Sequence, residues 1–170
     1  TDSLEETAYF LDLTINDNRP IIVTGSQKSS EDVGTDVYSN LRNSILVAAS
    51  KQAKNIGTCV VFNEKIFHAK YVKKSHSSSI NGFGTIGYGM LGYIDNDEVI
   101  IYQKPANTEY YEIKQKYPTV ELIYSYLGAS STILDFLLET DVEGIVLVGA
   151  GRGQVSPKMV ESIEKMCNKG

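Results

Sequence analysis

The chain has 170 residues, 42% of them hydrophobic and 22% charged, with 16 Lys and Arg against 21 Asp and Glu for a formal net charge of -5. This composition suits one ordinary soluble domain or two small ones, and it holds no apolar run of the roughly 20 residues that crosses a bilayer and no leader-type hydrophobic stretch. The acidic balance argues against a nucleic-acid partner, since phosphate binding draws on clustered Lys and Arg, and the one such cluster here, Lys70, Lys73 and Lys74, is short.

The chain opens Thr1-Asp2-Ser3-Leu4-Glu5-Glu6-Thr7-Ala8-Tyr9-Phe10-Leu11-Asp12-Leu13. Leu4, Ala8, Leu11 and Ile15 recur at helical spacing, and Ser3 followed by Glu6 fits a capping box, so a helix with one apolar face is predicted. Thr1 and Asp2 then admit two readings. They are ordinary residues for a helix N-terminus. They also place a hydroxyl and a carboxylate beside unpaired backbone N–H groups, where developing negative charge is favoured.

A turn at residues 16–20 precedes Ile21-Ile22-Val23-Thr24, a short β-branched run that predicts a buried strand ending at Gly25-Ser26. A polar loop follows, then a second helix over residues 35–53 with Val37, Leu41, Ile45 and Ala48 on its apolar face. Thr58-Cys59-Val60-Val61-Phe62 reads as the next strand. Helix, strand, helix, strand is the rhythm of a parallel sheet with crossover helices, in which ligands gather at the C-terminal strand ends.

From Ile66 to Gln103 the pattern changes to short β segments, with a hairpin expected where Asp95-Asn96-Asp97 separates two apolar runs. A polar, proline-bearing stretch follows. Residues 120–126, 130–139, 144–148 and 156–168 then predict strand, helix, strand and helix, one further α/β module. The fold class expected is α/β: a parallel-sheet sandwich with crossover helices plus a β-hairpin, followed by part of a second, smaller α/β domain. Because one such module is too little for an independent sheet, and the first residue is not Met, the chain is expected to be a piece of something longer.

Gly82-Phe83-Gly84-Thr85-Ile86-Gly87 matches the letters of a dinucleotide fingerprint, but it lacks the strand before and helix after that the mechanism requires. Gly149-Ala150-Gly151-Arg152-Gly153-Gln154 follows a strand, and a close turn is its expected role. Cys59 sits in an apolar run as a buried thiol would, and neither the cysteines nor His68 and His76 have metal-ligand company. Lys74, expected in a surface loop, is the residue that completes a chemical set with Thr1 and Asp2. An amine drawn partly out of water can accept or relay a proton for a hydroxyl, while the carboxylate orients an ammonium group.

The opening segment, together with Ile22-Val23-Thr24-Gly25-Ser26, Val60-Val61-Phe62-Asn63-Glu64-Lys65-Ile66, Val72-Lys73-Lys74-Ser75-His76 and Tyr88-Gly89-Met90-Leu91-Gly92-Tyr93-Ile94, resembles the bacterial-type L-asparaginases and asparaginase-glutaminases. The resemblance implies catalytic roles for Thr1, Asp2 and Lys74, and substrate contacts from Thr1, Asp2 and the backbone of Ser26. It implies hydrolysis of asparagine, with glutamine a slower substrate, by a threonine mechanism that needs no metal or organic cofactor. The partners implied are a small amino-acid substrate and copies of the same chain in a homotetramer, a dimer of dimers, with no nucleic acid and no membrane.

By the same resemblance, residues 1–104 would be the C-terminal part of the larger N-terminal asparaginase domain, 105–118 a connector, and 119–170 the first part of the smaller C-terminal domain. The family's primary nucleophilic threonine would precede this region, so these residues alone should be inactive. Two departures stand out: the loop after Ser26 lacks the usual Gly-Pro after Asp36, and Gly128 stands where some members have an asparagine. Other readings of the same fold are a non-catalytic amino-acid-binding protein and the asparaginase-like subunit of a tRNA-dependent amidotransferase. The compartment, cytoplasmic, periplasmic or secreted, is left open.

Overall fold

Strand Thr58–Phe62 is buried at every residue, and its alternating side chains explain the architecture around it. In the computed structural model, which describes residues 2–105 and 109–169, Cys59 and Val61 join one apolar cluster with Val47, Ile56, Ile66, Leu91, Ile94 and Val99. Val60 and Phe62 point the other way, into a cluster with Leu4, Ala8, Phe67, Val72 and Phe83. A strand with both faces covered must be apolar throughout, and this one is.

The chain divides into two compact units, residues 1–113 and 114–170. In the first, the elements in order are α1 (Leu4–Thr14), β1 (Ile21–Val23), α2 (Val37–Ala49), a 3₁₀ turn (Lys51–Ala53), β2 (Thr58–Phe62), β3 (Lys65–His68), β4 (Val72–Lys74), β5 (Phe83–Thr85), β6 (Gly92–Asp95) and β7 (Glu98–Ile101). One sheet has the order β1-β2-β3-β6-β7, and β4 pairs separately with β5. Only β1 and β2 run parallel; β2 with β3, β3 with β6 and β6 with β7 are antiparallel. The expected α/β class and the hairpin at Asp95 to Glu98 are both present, within a sheet more antiparallel than the helix–strand rhythm implied.

The cause is the two-residue turn Asn63-Glu64, where both residues take positive φ, 49° and 62°. That geometry matches the twist of a tight hairpin and returns the chain at once beside β2. Gly92 is required where β3, β6 and β7 meet, because a Cβ there would lie 2.0 Å from the carbonyl oxygen of Ile100.

Both helices differ from the predicted faces. Ser3 makes no side-chain cap hydrogen bond, so the expected capping box does not form. In α1, Leu4 and Ala8 are buried as expected, but Asp12 is buried too, and its Oδ1 accepts the N–H of Thr58 at 2.9 Å. The second helix is shorter than predicted and turns a polar face inward: Asn40, Asn43, Ser44 and Val47 are buried while Leu41 and Ile45 are exposed. Burying amides is tolerable only where they are hydrogen-bonded, and Asn40 is. Its Nδ2 donates to the Gly25 carbonyl and to Asp36 Oδ2, each at 2.9 Å, and its Oδ1 accepts the N–H of Asn63 at 2.9 Å.

In the second unit, β8 (Val120–Tyr124) and β9 (Gly144–Val148) form a parallel pair, with α3 (Thr132–Leu137) and α4 (Pro157–Lys169). Ala129, Leu134 and Met159 are its buried apolar residues, with Ile123, Ile145, Leu147, Ile163 and Met166 packed against them. Among the described residues no helix is long and apolar enough to cross a membrane.

Candidate active site

Helix α1 lies against β2 and β4, so its N-terminus comes to the end of β4, where Lys74 is the last residue. Lys74 is therefore on a strand rather than in the expected surface loop. Its Nζ lies 3.8 Å from Asp2 Oδ1, with the lysine side chain 19% exposed and that of Asp2 fully exposed. Thr1, the third member of the expected set, lies outside the described residues.

The seat of Lys74 is built from the core. Phe83 is its register partner on β5. The Phe83 ring lies 4.7 Å, centroid to centroid, from Phe62 and sits 6.0 Å below Lys74 Nζ. An ammonium at that distance from an aromatic face is weakly attracted to it, so the buried end of β2 supports the amine from beneath. The backbone N–H of Lys74 donates to Glu5 Oε1 at 2.7 Å. The same oxygen lies 3.7 Å from Lys73 Nζ.

Immediately after β4, the N–H groups of Ser75 and His76 donate to the Gly82 carbonyl at 2.7 and 3.2 Å, closing the loop to β5. Gly82 has no room for a side chain. A Cβ would lie 2.6 Å from Gln27 Nε2 and 2.7 Å from the carbonyl oxygens of His76 and Ser79. The glycines that spell a dinucleotide fingerprint thus serve a strand and its close packing, and no helix follows them.

Ser26 is half-buried in the loop after β1. Its neighbours are held firmly. Gly25 accepts from Asn40, and the N–H groups of Gln27 and Lys28 donate to the Asp36 carboxylate at 3.0 to 3.1 Å. Asp36 stands at the N-cap of α2 yet caps nothing, because its oxygens are committed to this loop and to Asn40. Asp36 and Asn40 thereby tie the exit of β1 to the exit of β2. Sequence reasoning missed them as a pair; their spacing of four on one helix face was the available signal.

Asp12 and His68 form a buried pair nearby on α1 and β3, with His68 Nε2 at 3.7 Å from Asp12 Oδ1. Burial lowers the His68 pKa; Asp12 opposes the shift and Lys70 adds to it. Burial also raises the Cys59 thiol pKa far above its usual value, which keeps it a protonated core residue. Among the described residues no three His, Cys, Asp or Glu side chains are grouped so as to hold a metal ion.

The chain belongs to the asparaginase family: the model for the N-terminal asparaginase domain matches residues 1–107. A second model, for the glutaminase/asparaginase C-terminal domain, matches residues 119–170. An L-asparaginase of Bacillus licheniformis is 49% identical over 170 residues, covering 100% of this chain and 53% of its own length. L-asparaginase 2 of Escherichia coli strain K12 is 30% identical over 176 residues, covering 100% of this chain and 51% of the relative. The crystal structure of a probable cytoplasmic L-asparaginase from Campylobacter jejuni superposes with a TM-score of 0.93 at 33% identity, covering 100% of this chain and 58% of that one. The chain thus spans about half the length of the curated relatives it matches.

Proposed function

We propose that the protein carrying this chain hydrolyses the side-chain amide of L-asparagine to L-aspartate and ammonia, with L-glutamine a slower substrate. In this reading a threonine oxygen attacks the amide carbonyl and the carbon–nitrogen bond breaks as the leaving nitrogen takes a proton. Water then cleaves the resulting ester, releasing aspartate and restoring the hydroxyl. Lys74 moves the proton to and from the Thr1 hydroxyl. Asp2 holds the substrate's α-ammonium group, and the backbone of Ser26 receives the amide.

The observation that carries this reading is the convergence of Asp2 and Lys74, at 3.8 Å, from the turn that leads into α1 and the end of β4. The 49% identity to the Bacillus licheniformis L-asparaginase along the whole chain supports the choice of substrate. The exposed Asp2 carboxylate is accessible to a ligand, while the Lys74 side chain is largely enclosed.

The reading extends to organisation. Residues 1–104 complete a larger domain whose earlier part supplies the primary nucleophilic threonine, 105–118 connect, and 119–170 begin a smaller domain. Residues 1–170 by themselves are then inactive, and the whole protein is a homotetramer with sites completed between subunits. No metal or organic cofactor is needed for this chemistry.

The test is ammonia release from asparagine by the full-length protein and its Lys74→Ala variant. Turnover should fall by orders of magnitude, as it does when one member of a catalytic unit is removed. Wild-type turnover in the variant would refute the role of Lys74.

A further inference from the structure

We infer that Glu5 is a positioning residue that fixes Lys74 to the start of α1, beside the turn that carries Asp2; the inference rests on the reading of Lys74 as the proton-relaying amine. Strand β4 has one partner, β5, in a two-stranded sheet. On that edge Lys74 is registered against Phe83. Its backbone N–H instead meets the Glu5 carboxylate at 2.7 Å, a bond between residues 69 apart in the chain. One carboxylate oxygen does here what a neighbouring strand would do.

Glu5 lies in the first turn of α1, three residues after Asp2. Asp2 stands just before the N-cap Ser3, in the turn that leads the chain into the helix. The clamp therefore connects the backbone of Lys74 to the turn from which Asp2 projects, and it sets where the amine stands relative to the carboxylate. Behind it, Leu4 and Val72 belong to one apolar cluster, which brings the two elements together but does not determine their register along each other. A directional, charge-assisted hydrogen bond does.

The Glu5 side chain is only 18% exposed, and Lys73 Nζ at 3.7 Å balances its charge. Hydrogen-bond acceptance and charge can therefore be separated by substitution. Glutamine keeps an oxygen acceptor for the Lys74 N–H but gives up the pairing with Lys73. Alanine loses both. Lys73→Gln removes the ion pair and leaves the clamp.

The experiment is steady-state hydrolysis of asparagine by full-length wild type, Glu5→Ala, Glu5→Gln, Lys73→Gln and Lys74→Ala, with amide hydrogen exchange at Lys74 measured on the same proteins. Misplacing a catalytic group by about 1 Å reduces rate roughly 100-fold. Glu5→Ala should accordingly lose on the order of 100-fold in kcat with KM within about threefold, while Glu5→Gln and Lys73→Gln stay within about threefold of wild type. The Lys74 amide should exchange slowly in wild type and Glu5→Gln and rapidly in Glu5→Ala.

Wild-type kcat in Glu5→Ala, or an equal loss in Glu5→Gln, overturns the inference. So does a Glu5→Ala protein that melts earlier yet keeps full kcat at low temperature, since that describes a structural role only. If wild type lacks activity, or Lys74→Ala matches it, the functional reading of the site has failed. Exchange at Lys74 then decides the clamp alone: unchanged protection in Glu5→Ala refutes it, and selective loss supports it.

Discussion

The two units, residues 1–113 and 114–170, contain similar alternations of helix and strand but differ in how much core they enclose. In the first, the central strand β2 is buried at every residue and separates two apolar clusters. Its polar groups are also bound inside, with Asp36, Asn40 and Asp12 buried and hydrogen-bonded across elements. In the second, Ala129, Leu134 and Met159 make the buried apolar cluster, and an apolar groove of about 380 Å³ opens along β9 and α4. Similar local patterns thus give one densely cross-braced unit and one with a small core. The candidate catalytic residues belong to the braced unit, where a 3.8 Å relation between groups distant in sequence can be maintained.

That contrast gives matched substitutions, read by urea denaturation of the chain with a probe in each unit. Phe62, 1% exposed and packed on Phe83, should lose about 3–5 kcal/mol on replacement by Ala. Phe136, 69% exposed, should lose no more than about 0.5 kcal/mol. Comparable losses at the two positions would erase the distinction drawn between the units.

Next in size is a polar pair. Asp36→Ala leaves the Gln27 and Lys28 N–H groups without their acceptor and takes one of two from the Asn40 amide, and should lower stability by about 2–4 kcal/mol. Glu143, in the second unit, accepts the N–H of Thr119 at an exposed position, and Glu143→Ala should change stability by less than about 1 kcal/mol. A small loss for Asp36→Ala would mean that the loop beyond Ser26 is held by something else.

The smallest effect is one of pH. Burial lowers the His68 pKa below the usual value near 6.5, against the pull of Asp12. The unfolded histidine therefore takes up a proton first as pH falls. This group contributes no pH dependence above that range and progressively destabilises the fold below about pH 6.5, by less than about 1.4 kcal/mol per pH unit. The second unit contains no histidine. Melting curves between pH 7.5 and 5 should show the added slope in wild type and its reduction in His68→Gln; an unchanged slope in the variant places the acid sensitivity elsewhere.

Much of the fold was legible in the sequence because apolar periodicity and short β-branched runs report which residues leave water. The strand at Thr58, the hairpin at Asp95 and the later α/β module all follow from that signal. It misled at α2. Leu41 and Ile45 mark an apolar face that is exposed, while the buried face is chosen by Asp36 and Asn40, whose partners Gly25, Gln27, Lys28 and Asn63 come from two loops. The Asn63-Glu64 hairpin was hidden because neither residue is the glycine that usually announces positive φ. Lys74 stood out for the chemistry an amine adds to Thr1 and Asp2 and for the family motif around it, but β4 is three residues long, too short for alternation to show, so its strand was not foreseen. Glu5 reads as one acid among two in a first helical turn until its partner 69 residues away is brought to it.

The most direct test of the central claim is the structure of the full-length protein with L-aspartate, the proposed product, bound. The α-ammonium group of aspartate should lie within about 3 Å of the Asp2 carboxylate, and Lys74 Nζ within about 3 Å of the Thr1 hydroxyl on the side of the ligand's side-chain carboxylate. Aspartate bound elsewhere, or bound with Lys74 turned away from Thr1, would contradict it.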